Sequence, residues 1–185
     1  PMPVRIWAQL RGGITDEWCE KRAAFWDQTV AGSSALQAAL SRCVSDEAFH
    51  AMGWSVGAAL LDIKGFYDHI RLSHLIREGD KWGYPMQIMA MSVATYTAPR
   101  SILWGHWTAA RPILPSRSVS TGERNGNHMA RVCLYTMLEW LHAQVPGAII
   151  KQWVDDIPVR CAGTQRHVEN SIAKLTAAAS ERLKT

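Results

Sequence analysis

Apolar positions recur mainly at helical spacing through the first half of the chain, and later give way to short apolar runs bounded by turn residues. PVRIWAQLR is an amphipathic piece predicted to end at Gly12-Gly13, after which Thr15, Asp16 and Glu17 open a helix reaching to about residue 30. A further helix runs through SSALQAALSRCV, capped by Ser33 or Ser34. In SVGAALLDIKGFYDHI the character changes: the apolar run 56–61 ends at Asp62, as a buried strand delivering a carboxylate at its C-terminal end would. Asp68 is placed to cap a helix carrying Ile70, Leu72, Leu75 and Ile76 and stopped near Gly79, and Pro85 opens another to about residue 98. RSILWGHW and RPILPSRSV read as a pair of strands, with Pro112 and Pro115 confining the second to an edge. A helix over 127–143 brings Ala130, Cys133, Leu134, Met137, Leu138 and Leu141 onto one face and ends at Pro146-Gly147. AIIKQWV and IPVRC, with Asp155 and Asp156 between them, predict a tight hairpin, and a last helix runs over 166–183. The order is α+β, with helices packed on one face of a small sheet.

Composition changes this picture little. The chain has 185 residues, 48% hydrophobic and 19% charged, which suits one folded globular unit and excludes a disordered one. No apolar stretch approaches the roughly 18 to 20 residues of a membrane helix, and no basic segment with an apolar signal core opens the sequence. A soluble, non-secreted, intracellular protein without a membrane partner is expected, cytoplasmic or nuclear. The four cysteines are scattered with no CxxC pair, so core thiols are expected in place of a zinc cluster or disulfide framework. The formal charge of +4 hints weakly at nucleic acid. Its distribution says more: over 100–131 there are five arginines, no lysine and only Glu123 against them. Arginine's fork suits phosphate, and a solvated basic face is the plainer alternative.

The chemistry lies in the acidic pair. Adjacent side chains on a strand point to opposite faces, so Asp155 and Asp156 serve one site only at a hairpin turn. Taken alone they are ordinary turn residues. Asp62, ending a separate strand, changes the balance: with that strand beside the hairpin, three carboxylates converge on one end of a sheet. Such carboxylates repel unless protonated or bridged by a cation, and hard oxygen donors suit Mg²⁺. Two such ions roughly 3.5 to 4 Å apart serve in-line displacement at phosphorus.

LDIKGFYDHI resembles motif A of reverse transcriptases, especially those of group II introns and non-LTR retrotransposons. KQWVDDIPVRCAG resembles their motif C, the YxDD hairpin, with Trp153 in the aromatic slot. A degenerate motif B lies at STGERNGNHMARVCLY, and the resemblance covers about residues 30 to 185. It implies that Asp62 and Asp155 are the principal metal ligands, with Asp156 the third carboxylate, for two Mg²⁺ or Mn²⁺ ions. Tyr67, five residues after Asp62, takes the place of the steric gate that excludes a 2′-hydroxyl, while Phe66 packs in the core. Where the family has a PQGS-like run, this chain has Arg124-Asn125-Gly126-Asn127: Asn125 replaces the glutamine near the nucleotide base, and Gly126 keeps the close-approach role. Arg131 faces phosphate or, more simply, solvent. Lys184 is either the motif D lysine or a solvated lysine at a helix end.

The implied fold is a polymerase palm over 31–185, a small antiparallel sheet of RRM or ferredoxin-like kind covered on one face by helices. Residues 1–30 are an N-terminal helical remnant of the fingers, whose basic motifs should precede VRIWAQLR, and the thumb is expected to be absent. The implied activity is RNA-directed DNA synthesis: nucleotidyl transfer from dNTP to a DNA primer on an RNA template. The alternatives are an inactive, truncated retroelement remnant that at most binds nucleic acid, and another palm polymerase such as an RNA-dependent RNA polymerase. The oligomeric state is not indicated by the sequence.

Overall fold

The structure, a computed structural model, describes residues 2–28, 30, 32–109, 111–120 and 124–183. Its elements run α1 (Met2–Arg22), α2 (Ala35–Ala51), β1 (Ser55–Asp62), α3 (Phe66–His69), α4 (Leu72–Lys81), α5 (Met86–Thr97), β2 (Leu103–Trp104), β3 (Trp107–Thr108), α6 (Arg124–Gln144), β4 (Ile149–Ile150), β5 (Asp156–Gly163) and α7 (Gln165–Leu183). The class is α+β, as the patterning predicts. The chain divides into two compact units, one of Pro1–Cys19 with Gly65–Cys133, the other of Glu20–Lys64 with Leu134–Thr185.

In the first unit α1 runs straight through Gly12-Gly13, where the sequence predicts a stop. Each helical glycine costs about 1 kcal/mol relative to alanine. Burial decides otherwise: Ala8, Gly12, Thr15, Trp18 and Cys19 form one buried stripe, and the Thr15 hydroxyl donates to the Gly12 carbonyl at 3.0 Å. Trp18 donates from its indole to the Trp82 carbonyl at 3.2 Å and meets Tyr84 edge-on at 4.9 Å. The helix ends at Arg22, short of residue 30. Asp68 does not cap α4, because α3 intervenes and Arg71 holds the cap position. Nor does Gly79 stop α4. It is buried inside the helix where a Cβ would lie 2.6 Å from Met89 Cε, and the reversal comes at Gly83, whose φ is +67°.

The expected pairing of RSILWGHW with RPILPSRSV is replaced by a short hairpin inside the first segment. Leu103 pairs with Thr108 and Trp104 with Trp107, and the second segment contributes two isolated bridges, Ile113 with Arg100 and Arg117 with Arg71. The two prolines leave it too few donors for a ladder.

The second unit holds a three-stranded sheet in the order β1-β5-β4, all antiparallel. β5 is the central strand, and α7 packs against both β1 and β5. Period-2 alternation sorts the side chains into two faces. Gly57, Ala59 and Leu61 pair with Cys161, Val159 and Ile157, and this face lies under α7, where a Cβ on Gly57 would come within 2.3 Å of Val168 Cγ1. Ile157 and Val159 are fully buried there, as are Leu175 and Ala179 on the helix. The opposite face carries Ala58, Leu60 and Asp62 beside Arg160, Pro158 and Asp156. The sequence predicts a wholly buried β1. Instead the strand is an edge with one open face, Leu60 being 64% exposed.

Arg160, opposite Ala58 on that face, anchors α2. Its guanidinium donates to Ser45 at 3.0 Å and pairs with Asp46. Burial first, and Arg42 second, lower the Arg160 pKa. Ser34 caps α2, its side chain accepting from the Gln37 amide at 3.1 Å. Three of the cysteines are core thiols as expected, but Cys43 on α2 is exposed. Burial, with a smaller contribution from Glu78, pushes the Cys133 thiol up to about 12 and makes it inert.

The close approach at Gly57 gives a direct test of the α7 packing. Gly57→Ala should destabilise the protein by about 1 to 3 kcal/mol through overpacking. Urea unfolding should show less than the summed loss when Gly57→Ala is combined with Val168→Ala, which clears the space.

Candidate functional site

The β1–β5 ladder fixes the first two carboxylates. It begins at Ser55↔Gly163 and ends at Asp62↔Asp156, so these two aspartates stand directly opposite each other on the open face of the sheet. Like charges in this relation are destabilising. Both are exposed, and Asp155, next along the chain, is half-buried. Among the described residues no arginine, lysine or histidine pairs with any of the three, and none of their carboxylates accepts a hydrogen bond from a side chain.

The hairpin differs from the sequence expectation by one step. Trp153 and Asp156 exchange backbone hydrogen bonds of 2.9 and 3.0 Å, so the two turn residues are Val154 and Asp155, and Asp156 already belongs to β5. Val154 has φ +58°. A β-branched residue in the left-handed region costs about 1 to 2 kcal/mol, and such strain persists only where its surroundings over-determine it.

The restraint comes from Gln152, which is fully buried. Its amide donates to the Trp26 carbonyl at 2.7 Å, its carbonyl accepts from Gln28 at 3.0 Å, and its side-chain nitrogen donates to the Val154 carbonyl at 3.0 Å. Lys151 adds a bond from Nζ to the Phe25 carbonyl at 2.8 Å. The turn that presents Asp155 is thus clamped at its base to the segment 25–28. Sequence reasoning missed Gln152; the available signal was a polar residue inside a strand-like apolar run.

In the first unit Tyr67 follows the buried Phe66, which packs in the core as expected and touches the Tyr67 ring edge-on at 5.6 Å. The Tyr67 hydroxyl donates to Asn127 Oδ1 at 2.9 Å, and its carbonyl accepts from Val119 at 2.9 Å. Asn127 thus stands beside this ring. Asn125 is fully buried, with neither its side-chain oxygen nor its nitrogen hydrogen-bonded among the described residues. Gly126 does serve a close approach, and its neighbour is the chain itself: a Cβ there would lie 2.6 Å from the Ser120 carbonyl oxygen. Arg131 is buried, 2% exposed, and does not face solvent. Lys184 lies outside the described residues.

Among the described residues no group of three or more His, Cys, Asp or Glu side chains converges in a way that would hold a metal ion. The donor set at the sheet end nevertheless fits a hard cation in kind: oxygen-only, anionic, open to solvent and without a competing basic partner. No helix among the described residues is long and apolar enough to cross a membrane. No protein-family model matches this chain, and no curated protein matches it.

Two expectations follow from the turn and the opposed pair. Val154→Gly should relieve the positive φ and raise stability by about 0.5 to 1 kcal/mol, the strain released exceeding the added freedom of the unfolded chain; chemical denaturation reads it. Asp156→Asn should raise the melting temperature by about 1 to 3 °C in EDTA by removing the repulsion with Asp62. The same variant should lose any further rise that the parent protein shows on adding Mg²⁺.

Proposed function

We propose that this chain is the nucleotide-transfer palm of an RNA-directed DNA polymerase, with residues 1–30 derived from the fingers and 31–185 from the palm. The observation that carries the reading is the Asp62↔Asp156 register on the open face of a sheet whose other face is filled by α7, with Asp155 in a clamped, strained turn beside it. That arrangement supports the motif resemblance independently of residue identity, because it gathers motif A and motif C on one end of one sheet. Strain at an acidic turn is also where function tends to be found.

Asp62, Asp155 and Asp156 would hold magnesium, or manganese in its place. Ions bound there supply Lewis acidity at the attacking 3′-hydroxyl and at the leaving pyrophosphate. In the transfer, the primer 3′-oxygen forms a bond to the α-phosphorus of the dNTP as the bond to pyrophosphate breaks, and the hydroxyl proton leaves to solvent. The residues' own contribution is positional. The β1–β5 ladder fixes where Asp62 and Asp156 stand, and the Gln152 clamp fixes the backbone from which Asp155 projects. The motif resemblance gives Tyr67, whose hydroxyl donates to Asn127, the role of excluding a 2′-hydroxyl.

The test is extension of an oligo(dT) primer on poly(rA) with Mg²⁺ or Mn²⁺. The parent protein should incorporate deoxynucleotides, and Asp155→Asn should abolish incorporation while unfolding at the same denaturant concentration as the parent. Extension by the variant at the parental rate would remove Asp155 from the site. Ribonucleotide incorporation in preference to deoxynucleotide would turn the reading to an RNA-dependent RNA polymerase.

A further inference from the structure

The hairpin between α5 and α6 exposes more apolar surface than its own fold needs. Gly105, with φ +57°, opens a two-residue turn, and Trp104 stands opposite Trp107 across it, so both indoles emerge on the same face of the ribbon. They are 81% and 79% exposed, the highest values for any large apolar side chain among the described residues. Neither ring contacts another aromatic ring there, which leaves the indole faces open. Ile102, Leu103, Ile113 and Leu114 around them are also exposed. Apolar exposure on this scale marks a contact surface without naming the partner.

Charge narrows the choice. Between residues 99 and 120 there is no aspartate, glutamate or lysine, and there are three arginines. All three are exposed. Arg100 donates to the Tyr96 carbonyl at 3.3 Å, while Arg111 and Arg117 make no side-chain hydrogen bond or ion pair among the described residues. Open indole faces and uncompensated arginine forks in one short stretch of chain suit a partner that carries flat rings and phosphates together. We propose that β2, β3 and their flanks bind an unpaired nucleic-acid strand, its bases stacking on Trp104 and Trp107 and its phosphates meeting Arg111 and Arg117. The proposal rests on the polymerase reading only for the presence of a strand. Neither stacking nor phosphate contact reads the sugar, so RNA and DNA should bind alike.

Binding is measured by fluorescence anisotropy of labelled oligo(dT) and oligo(rU) with the full chain, in EDTA and without nucleotide, so that its outcome is independent of catalysis. The two oligonucleotides should bind within a few-fold of each other and more tightly than a duplex of equal length. Trp104→Ala with Trp107→Ala should weaken binding by roughly tenfold or more, and Trp104→Phe with Trp107→Phe should restore most of it because the aromatic faces return. Arg111→Ala with Arg117→Ala should reduce the slope of log affinity against log salt by about 1.4. Unchanged affinity in the double alanine variant would overturn the proposal, as would equal loss in the phenylalanine variant. Tryptophan-dependent binding to phosphatidylserine vesicles, or tryptophan-dependent dimerisation, without oligonucleotide binding would also overturn it, assigning the surface to a membrane or to a second copy of the chain.

Discussion

The candidate site depends on one register. Eight consecutive residue pairs join β1 to β5, from Ser55↔Gly163 to Asp62↔Asp156, and every other feature of the carboxylate end follows from that alignment. Because side chains alternate along a strand, a slip of one residue would turn Asp62 toward α7 and Leu61 toward solvent. The pairing is held by what lies on the inward face. Ile157, Val159 and Cys161 are buried on β5, and Gly57 lets Val168 of α7 approach so closely that no other residue fits without displacement. The charged face is thus specified from the opposite side of the sheet, by packing that never touches a carboxylate.

Four residues from Asp156 on the same face of β5, Arg160 performs a different task. A buried guanidinium is costly unless paired, and Ser45 and Asp46 pair it. The pairing fixes α2 to the sheet although none of that helix's own residues is buried. Arg160 and Asp156 share a face and a strand, yet one is neutralised by α2 and the other has no basic partner among the described residues. The asymmetry separates a charge used for architecture from a charge left available.

Helices whose ends carry a chemical signal were legible in the sequence. Ser34 caps α2, Pro85 precedes α5, and α7 begins within one residue of its expected start. Misreadings arose where a local rule met a tertiary contact. Gly12-Gly13 and Gly79 look like stops, but Gly12 and Gly79 are buried within their helices, Gly79 against Met89, and burial outweighs propensity. The hairpin turn shows another kind of blindness. Placing Asp155 and Asp156 together in the turn, or Val154 and Asp155, shifts the β4–β5 pairing by two residues and leaves every side chain on its original face. A pattern of period 2 cannot distinguish these registers, and turn propensity favours the wrong one, since valine is poorly suited to φ +58°. The contact of Asn127 with Tyr67 has no signal in the sequence, because it depends on the helical phase at the start of α6.

The hairpin misreading falls where local preference is overruled. Val154 is strained, Asp62 and Asp156 repel, and Gln152 is buried with one side-chain oxygen left without a partner. Each is a cost, and all lie within a few residues of one strand end. A chain selected for stability alone would relieve them with a glycine at 154 and a neutral residue at 156. Local violations of folding rules persist where something other than stability requires them, so the proposed carboxylate site would account for their concentration at this end of the sheet.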